Sequence, residues 1–207
     1  MTDLEDQVRV ADFDRWASSR FVSDPARRAD LIALYAFEAE LLAIPTRVTQ
    51  PTLAEMRYAW WAEQMDGVFQ GAPRKGHPIL EALAAAVIAR RLERGPLDAL
   101  IEAHIDRVHG EPHDLNAFYV GPMQQAVRIL AGDGHDGYIV NAGRVRGLSQ
   151  TGRTEEARAL RAAANRDLRG LPTAAFPAVA HATLTDPDAA EPFKRIRLAW
   201  AALTGRI

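Results

Sequence analysis

Prolines stand where helices begin and apolar residues repeat with helical period through nearly every segment, so the chain has few ways to fold other than as an all-α bundle. The first helix is expected over Leu4 to Phe21. Asp24-Pro25 caps and opens a second, which should end before Pro45 because an interior proline removes a ladder hydrogen bond. Thr52 and Glu55 have capping-box spacing, so the third helix is expected to begin there and run to Gly71. His77-Pro78 opens a fourth that stops at Gly95, and Pro96 opens a fifth that ends at Gly110. Asp114 can cap a helix through Leu130 that Gly121-Pro122 should bend or split, and Gly132-Asp133-Gly134 makes a turn. Further helices are expected over Gly137 to Ser149, Thr154 to Leu168 and Asp188 to Leu203, with a proline-interrupted segment, Pro172 to Leu184, before the last. No linker, repeat or low-complexity stretch interrupts the pattern, so residues 1–207 read as one domain, long enough to bury a core unaided.

Composition removes several function classes. Cysteine is absent, which excludes disulfides, thiolate nucleophiles and Cys-ligated zinc. The formal charge is −2 and the basic residues are dispersed, so the footprint of a nucleic-acid binder is missing. The acidic start, Met1-Thr2-Asp3-Leu4-Glu5-Asp6, lacks the pattern of a signal peptide, and no apolar run approaches the roughly 20 residues that span a bilayer. A cytoplasmic protein is expected, with amphipathic helices able to pack inward or to lie peripherally at the inner face of a membrane.

Chemistry-bearing residues are sparse. Trp60 and Trp61 point about 100° apart on one helix, so they cannot both face one groove, and with Met56 and Met65 they read as core with one ring free to line an apolar pocket. Glu38 and Glu40 are about 200° apart and cannot form a metal clamp. Glu63 with Asp66, and the row Asp98, Glu102, Asp106, have facing geometry, but the row lies opposite an apolar stripe and reads as a solvated face. His104 and His109 are five apart, outside the spacing that seats two imidazoles on one metal, and His77 reads as a helix-start residue. Ser18-Ser19-Arg20 reads as capping or packing, and Arg57 beside the tryptophans is the candidate for a diphosphate contact. Nucleophile elbows, P-loops and dinucleotide fingerprints are absent.

Asp24-Pro25 through Ala36-Phe37, then Met56-Arg57-Tyr58-Ala59-Trp60-Trp61 and Gly76-His77-Pro78-Ile79, resemble the squalene/phytoene synthase family. Within it the chain is most similar to the divergent branch that includes the complex I assembly factor with a phytoene-synthase-like domain. The resemblance is specific over about residues 12 to 90. It implies an isoprenoid-synthase-like helical bundle, shortened in the C-terminal half, around an apolar cavity. In active members two Asp-rich helices there hold Mg²⁺ and the diphosphates of two prenyl chains. Where those members carry an Arg and an Asp-rich box after Tyr35-Ala36-Phe37, this chain has Glu38-Ala39-Glu40-Leu41-Leu42-Ala43-Ile44. Where the second box should follow Gly137 to Arg146, it has Gly147-Leu148-Ser149.

The resemblance and its departures imply a non-catalytic relative acting in binding or assembly, either in respiratory complex I biogenesis or on an isoprenoid or quinone lipid. Its candidate pocket residues are Tyr35, Phe37, Arg57, Trp60 and Trp61, with no metal and no cofactor. Its expected partners are respiratory-chain subunits, a catalytic homologue or a prenyl-type lipid. The alternative is a Mg²⁺-dependent transferase of farnesyl or geranylgeranyl diphosphate using the relocated acids Glu38, Glu40, Glu63 and Asp66, or the non-catalytic subunit of such an enzyme.

Overall fold

The computed structural model describes residues 4–186 and 188–207; Met1-Thr2-Asp3 of the acidic start, and Pro187, lie outside them. Among the described residues the chain is helical with no strand, in the order α1 (Leu4–Ala11), α2 (Phe13–Ser19), α3 (Pro25–Arg47), α4 (Pro51–Phe69), α5 (Pro78–Arg90), α6 (Arg94–Val108), a π-helical turn (Asn116–Val120), α7 (Gly121–Ala131), α8 (Asp136–Gln150), α9 (Thr154–Asp167) and α10 (Glu191–Thr204). No helix among them is long and apolar enough to cross a membrane.

The axis of the bundle is α3. Every residue from Leu31 to Glu38 is buried, so this stretch has no solvated side, and α1, α5 and α7 pack around it. Asp24 caps it as expected, its Oδ1 accepting from the Ala26 backbone N–H at 2.9 Å. The helix does not stop before Pro45; it continues to Arg47, with Val48 N–H bonded to the Ile44 carbonyl. Proline cannot donate to the carbonyl four residues earlier, that of Leu41, but the Tyr58 hydroxyl of α4 donates to it at 3.1 Å. A tertiary contact thus replaces the missing ladder bond, which local pattern could not foresee.

Other boundaries differ for local reasons. The expected helix from Leu4 to Phe21 is two helices, because the Asp12 carboxylate accepts from Arg15 N–H at 3.0 Å and starts a new one. The Thr52–Glu55 capping box does not form: Pro51 occupies the first helical position and Gln50 precedes it without a side-chain cap. The fourth helix ends at Arg90, with Arg91 left-handed at φ 53°, and α6 begins at Arg94, before Pro96. His77 does open α5, its Nδ1 accepting from Leu80 N–H at 3.4 Å. The expected break at Gly121-Pro122 is present, as the junction between the π turn and α7.

In the C-terminal half α8 lies against α9 and the π turn. Close approach to the turn is possible because position 143 is glycine: a Cβ there would lie 3.0 Å from Val120 Cα. The proline-interrupted segment folds into short 3₁₀ turns, Thr173–Ala178 and Ala180–Thr183, whose residues from Ala175 to Leu184 are all buried. Ser18 donates to the Pro177 carbonyl and Ser19 to the Trp16 carbonyl, which bears out packing and capping rather than phosphate contact. Asp14 of α2, buried, is paired with Arg146 of α8 and Lys194 of α10, each at 2.9 Å, and this triad ties three distant segments together. One continuous apolar cluster runs from Val8 to Ile207.

Candidate functional site

A concavity of about 370 Å³ is walled by α3 on one side and by α6, the π turn and α8 on the others. Helical spacing sets its composition. Glu38, Leu42 and Pro45 project from one face of α3, and Arg146 and Gln150, four apart, project from α8. His104 and Arg107 come from α6, Phe118 and Tyr119 from the π turn, His113 from the loop before it, and Asp12 and Arg15 from the α1–α2 junction. The extra residue of the π turn lets consecutive aromatics, Phe118 and Tyr119, both reach this space.

Its electrostatics are internally matched. The Arg15 guanidinium meets Glu38 at 2.6 Å and Asp12 at 3.7 Å, and lies over the Tyr35 ring. Burial pushes the Glu38 carboxyl up to about 7, against the opposing pull of Arg15. Burial likewise raises the Tyr35 and Tyr119 phenols. Arg146 is neutralised by Asp14 and donates to the Leu184 carbonyl at 3.1 Å. Burial, reinforced by Arg107 and His113, lowers His104 to about 4, so its imidazole is neutral at physiological pH, stacked on Tyr58 at 5.1 Å. Arg107 donates to His113 Nδ1. Three buried polar atoms in this wall, Glu38 Oε1, His113 Nε2 and Gln150 Nε2, have no hydrogen-bond partner among the described residues.

A smaller recess of about 210 Å³ lies on the opposite face of α3, lined by Glu40, Ile44 and Arg47 with Arg57, Trp60, Trp61 and His77. Here Trp61 is buried and Trp60 half-buried, and both rings pack on His77, at 5.4 and 5.6 Å. Met65 is core, whereas Met56 is exposed.

The candidates named from sequence therefore separate. Arg57, Trp60 and Trp61 share the smaller recess, contrary to the expectation that both rings could not face one groove: the two side chains converge on His77 from neighbouring positions. Tyr35 sits behind Arg15, and Phe37 is core, edge-on to Trp61 at 5.5 Å. The four acids do not converge: Glu38 faces the larger cavity, Glu40 pairs with Arg47 beside the smaller one, Glu63 is exposed and Asp66 pairs with Arg94 on the surface. Among Asp98, Glu102 and Asp106, the last two are exposed and Asp98 pairs with Arg94, the solvated face expected. Asp12, Arg15, His104, Arg107, His113, Tyr119, Arg146 and Gln150 line the cavity without belonging to any pocket motif of the sequence. The signal was present as charges embedded in apolar helix faces: Glu38 between Phe37 and Leu41, Arg146 between Val145 and Leu148.

The fold implies Mg²⁺, and the donors do not fit it. A clamp needs carboxylates from two facing helices, but α8 presents a guanidinium and an amide, and the acids opposite both bind Arg15. No group of three His, Asp or Glu among the described residues is placed to hold a metal ion.

The architecture is that of an all-α, isoprenoid-synthase-like bundle with a cavity between its helices. The squalene/phytoene synthase family profile matches residues 8–119, more than half of the chain, and the chain belongs to that family. No curated protein and no solved structure matched it.

Proposed function

We propose that this chain is a non-catalytic squalene/phytoene synthase-like protein that binds rather than ionises an isoprenoid-type lipid, and that it acts in binding or assembly. The observation that carries the reading is the wall facing Glu38: α8 brings Arg146 and Gln150 to the cavity, so no acid stands across from Glu38 to share a metal. Two of the three guanidiniums that a diphosphate would meet are spent, because Arg15 and Arg146 are each held by carboxylates within 2.9 Å; the third, Arg107, is bonded to His113. The cavity instead suits an uncharged polar head that accepts from His113 and Gln150 and donates to Glu38, with an apolar tail along Leu42, Pro45, Leu100 and Phe118. A prenyl alcohol has that character, and a quinone, which only accepts, meets the same wall when the buried Glu38 is protonated and donates to one of its carbonyls. The resemblance to the complex I assembly branch makes respiratory complex I biogenesis the process in which such binding would serve, with respiratory-chain subunits or a catalytic homologue as partners.

The test is incubation of the pure protein with radiolabelled farnesyl and geranylgeranyl diphosphate and Mg²⁺, beside a working synthase, followed by extraction of apolar products. No product is expected, while a short-chain quinone should raise the melting temperature of the protein progressively, with the logarithm of its concentration above the Kd. Mg²⁺-dependent product overturns the reading in favour of a transferase, and loss of that product on Glu38→Gln or Glu63→Gln would locate its site.

A further inference from the structure

The last helix carries apolar side chains on its outside. Phe193, Ile196, Trp200 and Leu203 are 50, 68, 52 and 87% exposed, and at the helical step of about 100° per residue they fall within roughly 80° of arc. The inward face is already satisfied: Leu198 and Ala201 are buried and Lys194 is paired with Asp14. Ile207 N–H and C=O are both bonded to Asn165 of α9, so the residues after α10 turn toward α9 rather than over the stripe.

The stripe is bordered by arginines. Arg197 lies over the Phe193 ring, and Arg161 and Arg158 of α9 stand close enough that, after burial, both Arg197 and Arg158 contribute to lowering Arg161. Neither Arg161 nor Arg197 has an acidic partner among the described residues, whereas Arg158 meets Glu155 and Arg195 meets Glu191. Unopposed guanidiniums beside exposed Phe, Trp, Ile and Leu are the two components of an interfacial helix: an apolar face that enters the acyl boundary and cations that meet lipid phosphates.

We infer that α10 is a docking surface for an anionic lipid bilayer, lying in the plane of the interface with Trp200 at headgroup depth. A second copy of the chain is a poorer occupant. Fourteen residues span about 21 Å, so the stripe offers far less than the roughly 800 Å² per partner of a stable interface, and pairing it with itself would bring the Arg161–Arg197 cluster against its own copy. The surface sits apart from the lipid-binding cavity, and its role does not depend on what that cavity holds.

The test is co-sedimentation of the full chain with vesicles of phosphatidylcholine alone or with about one-third phosphatidylglycerol, in low and high salt, beside Ile196→Ser/Leu203→Ser and Arg161→Gln/Arg197→Gln. All four residues avoid the core, and thermal unfolding monitors folding of each variant. Binding to the anionic vesicles is expected to exceed that to neutral ones by at least about tenfold, and to fall about tenfold in either double variant and in high salt. Equal binding to both vesicles, no binding, or anionic binding that survives both double variants overturns the proposal. So does a concentration-dependent dimer that Ile196→Ser/Leu203→Ser converts to monomer without vesicles present.

Discussion

Pro45 and Tyr58 should be energetically coupled, although they lie on different helices. The Leu41 carbonyl would ordinarily accept from the N–H four residues on, which Pro45 lacks, and the Tyr58 hydroxyl donates to it at 3.1 Å inside a fully buried site. The Tyr58 hydroxyl oxygen also lies 3.4 Å from His104 Nδ1. Tyr58→Phe keeps the ring and its stacking but leaves a buried carbonyl unsatisfied, so it should destabilise the protein by about 2 kcal/mol. Pro45→Ala restores an N–H that can bond Leu41 in the ordinary way. Because Pro45 is exposed, little packing is lost, and the change should be neutral or stabilising. In that background the carbonyl no longer depends on the tyrosine, and Tyr58→Phe should cost about 1 kcal/mol less. Urea unfolding of the four proteins, with equal m values, measures the coupling. Additivity within about 0.3 kcal/mol would refute the claim that Tyr58 is what lets α3 pass through Pro45.

Glu38 should make stability depend on pH. Burial raises its folded pKa to about 7 from an ordinary 4.5, so its contribution is fully present below about pH 4.5 and is lost as pH rises through 7. The wild type should therefore lose on the order of 2 kcal/mol relative to Glu38→Gln between pH 5 and 8; a difference between the two proteins that stays flat across that range would count against a protonated buried Glu38. His104, lowered to about 4, has the opposite sign, its contribution present above pH 6.5 and lost on acidification, but it is common to both proteins and cancels. At Gly147 an added Cβ would lie 2.5 Å from Tyr119 Cδ2 and 2.9 Å from Leu115 Cδ2. Gly147→Ala should push the Tyr119 ring, cost about 1–3 kcal/mol in thermal unfolding and weaken uptake of the short-chain quinone; unchanged stability and uptake would show that this wall yields freely.

The helices were legible because their signals are local: Asp24-Pro25, His77-Pro78, Gly121-Pro122 and the apolar period all act within a turn or two. The errors came where a distant residue supplied what local rules require, as Tyr58 does for Leu41, or where one side chain redirected the backbone, as Asp12 does between α1 and α2. The cavity was legible only in part, for a geometric reason. The rotation that separates Glu38 from Glu40 also puts them in different recesses on opposite faces of α3, which forbids a clamp without revealing what each acid meets instead. The partner of Glu38 is Arg15, 23 positions earlier and on the far side of two helix boundaries, and no periodicity connects them. The conspicuous motif, Trp60-Trp61, has rings that mainly pack around the cap of α5, while the two facing walls of the larger cavity are marked in the sequence by Glu38 and Arg146, single charges set within apolar helix faces. A charge in such a face has to be matched by another, and matching of this kind binds a cation such as Arg15 where a metal-dependent synthase would leave its carboxylates free. On the function proposed above, exchanging a metal clamp for one arginine is what would move the same cavity from ionising a diphosphate toward holding a neutral head.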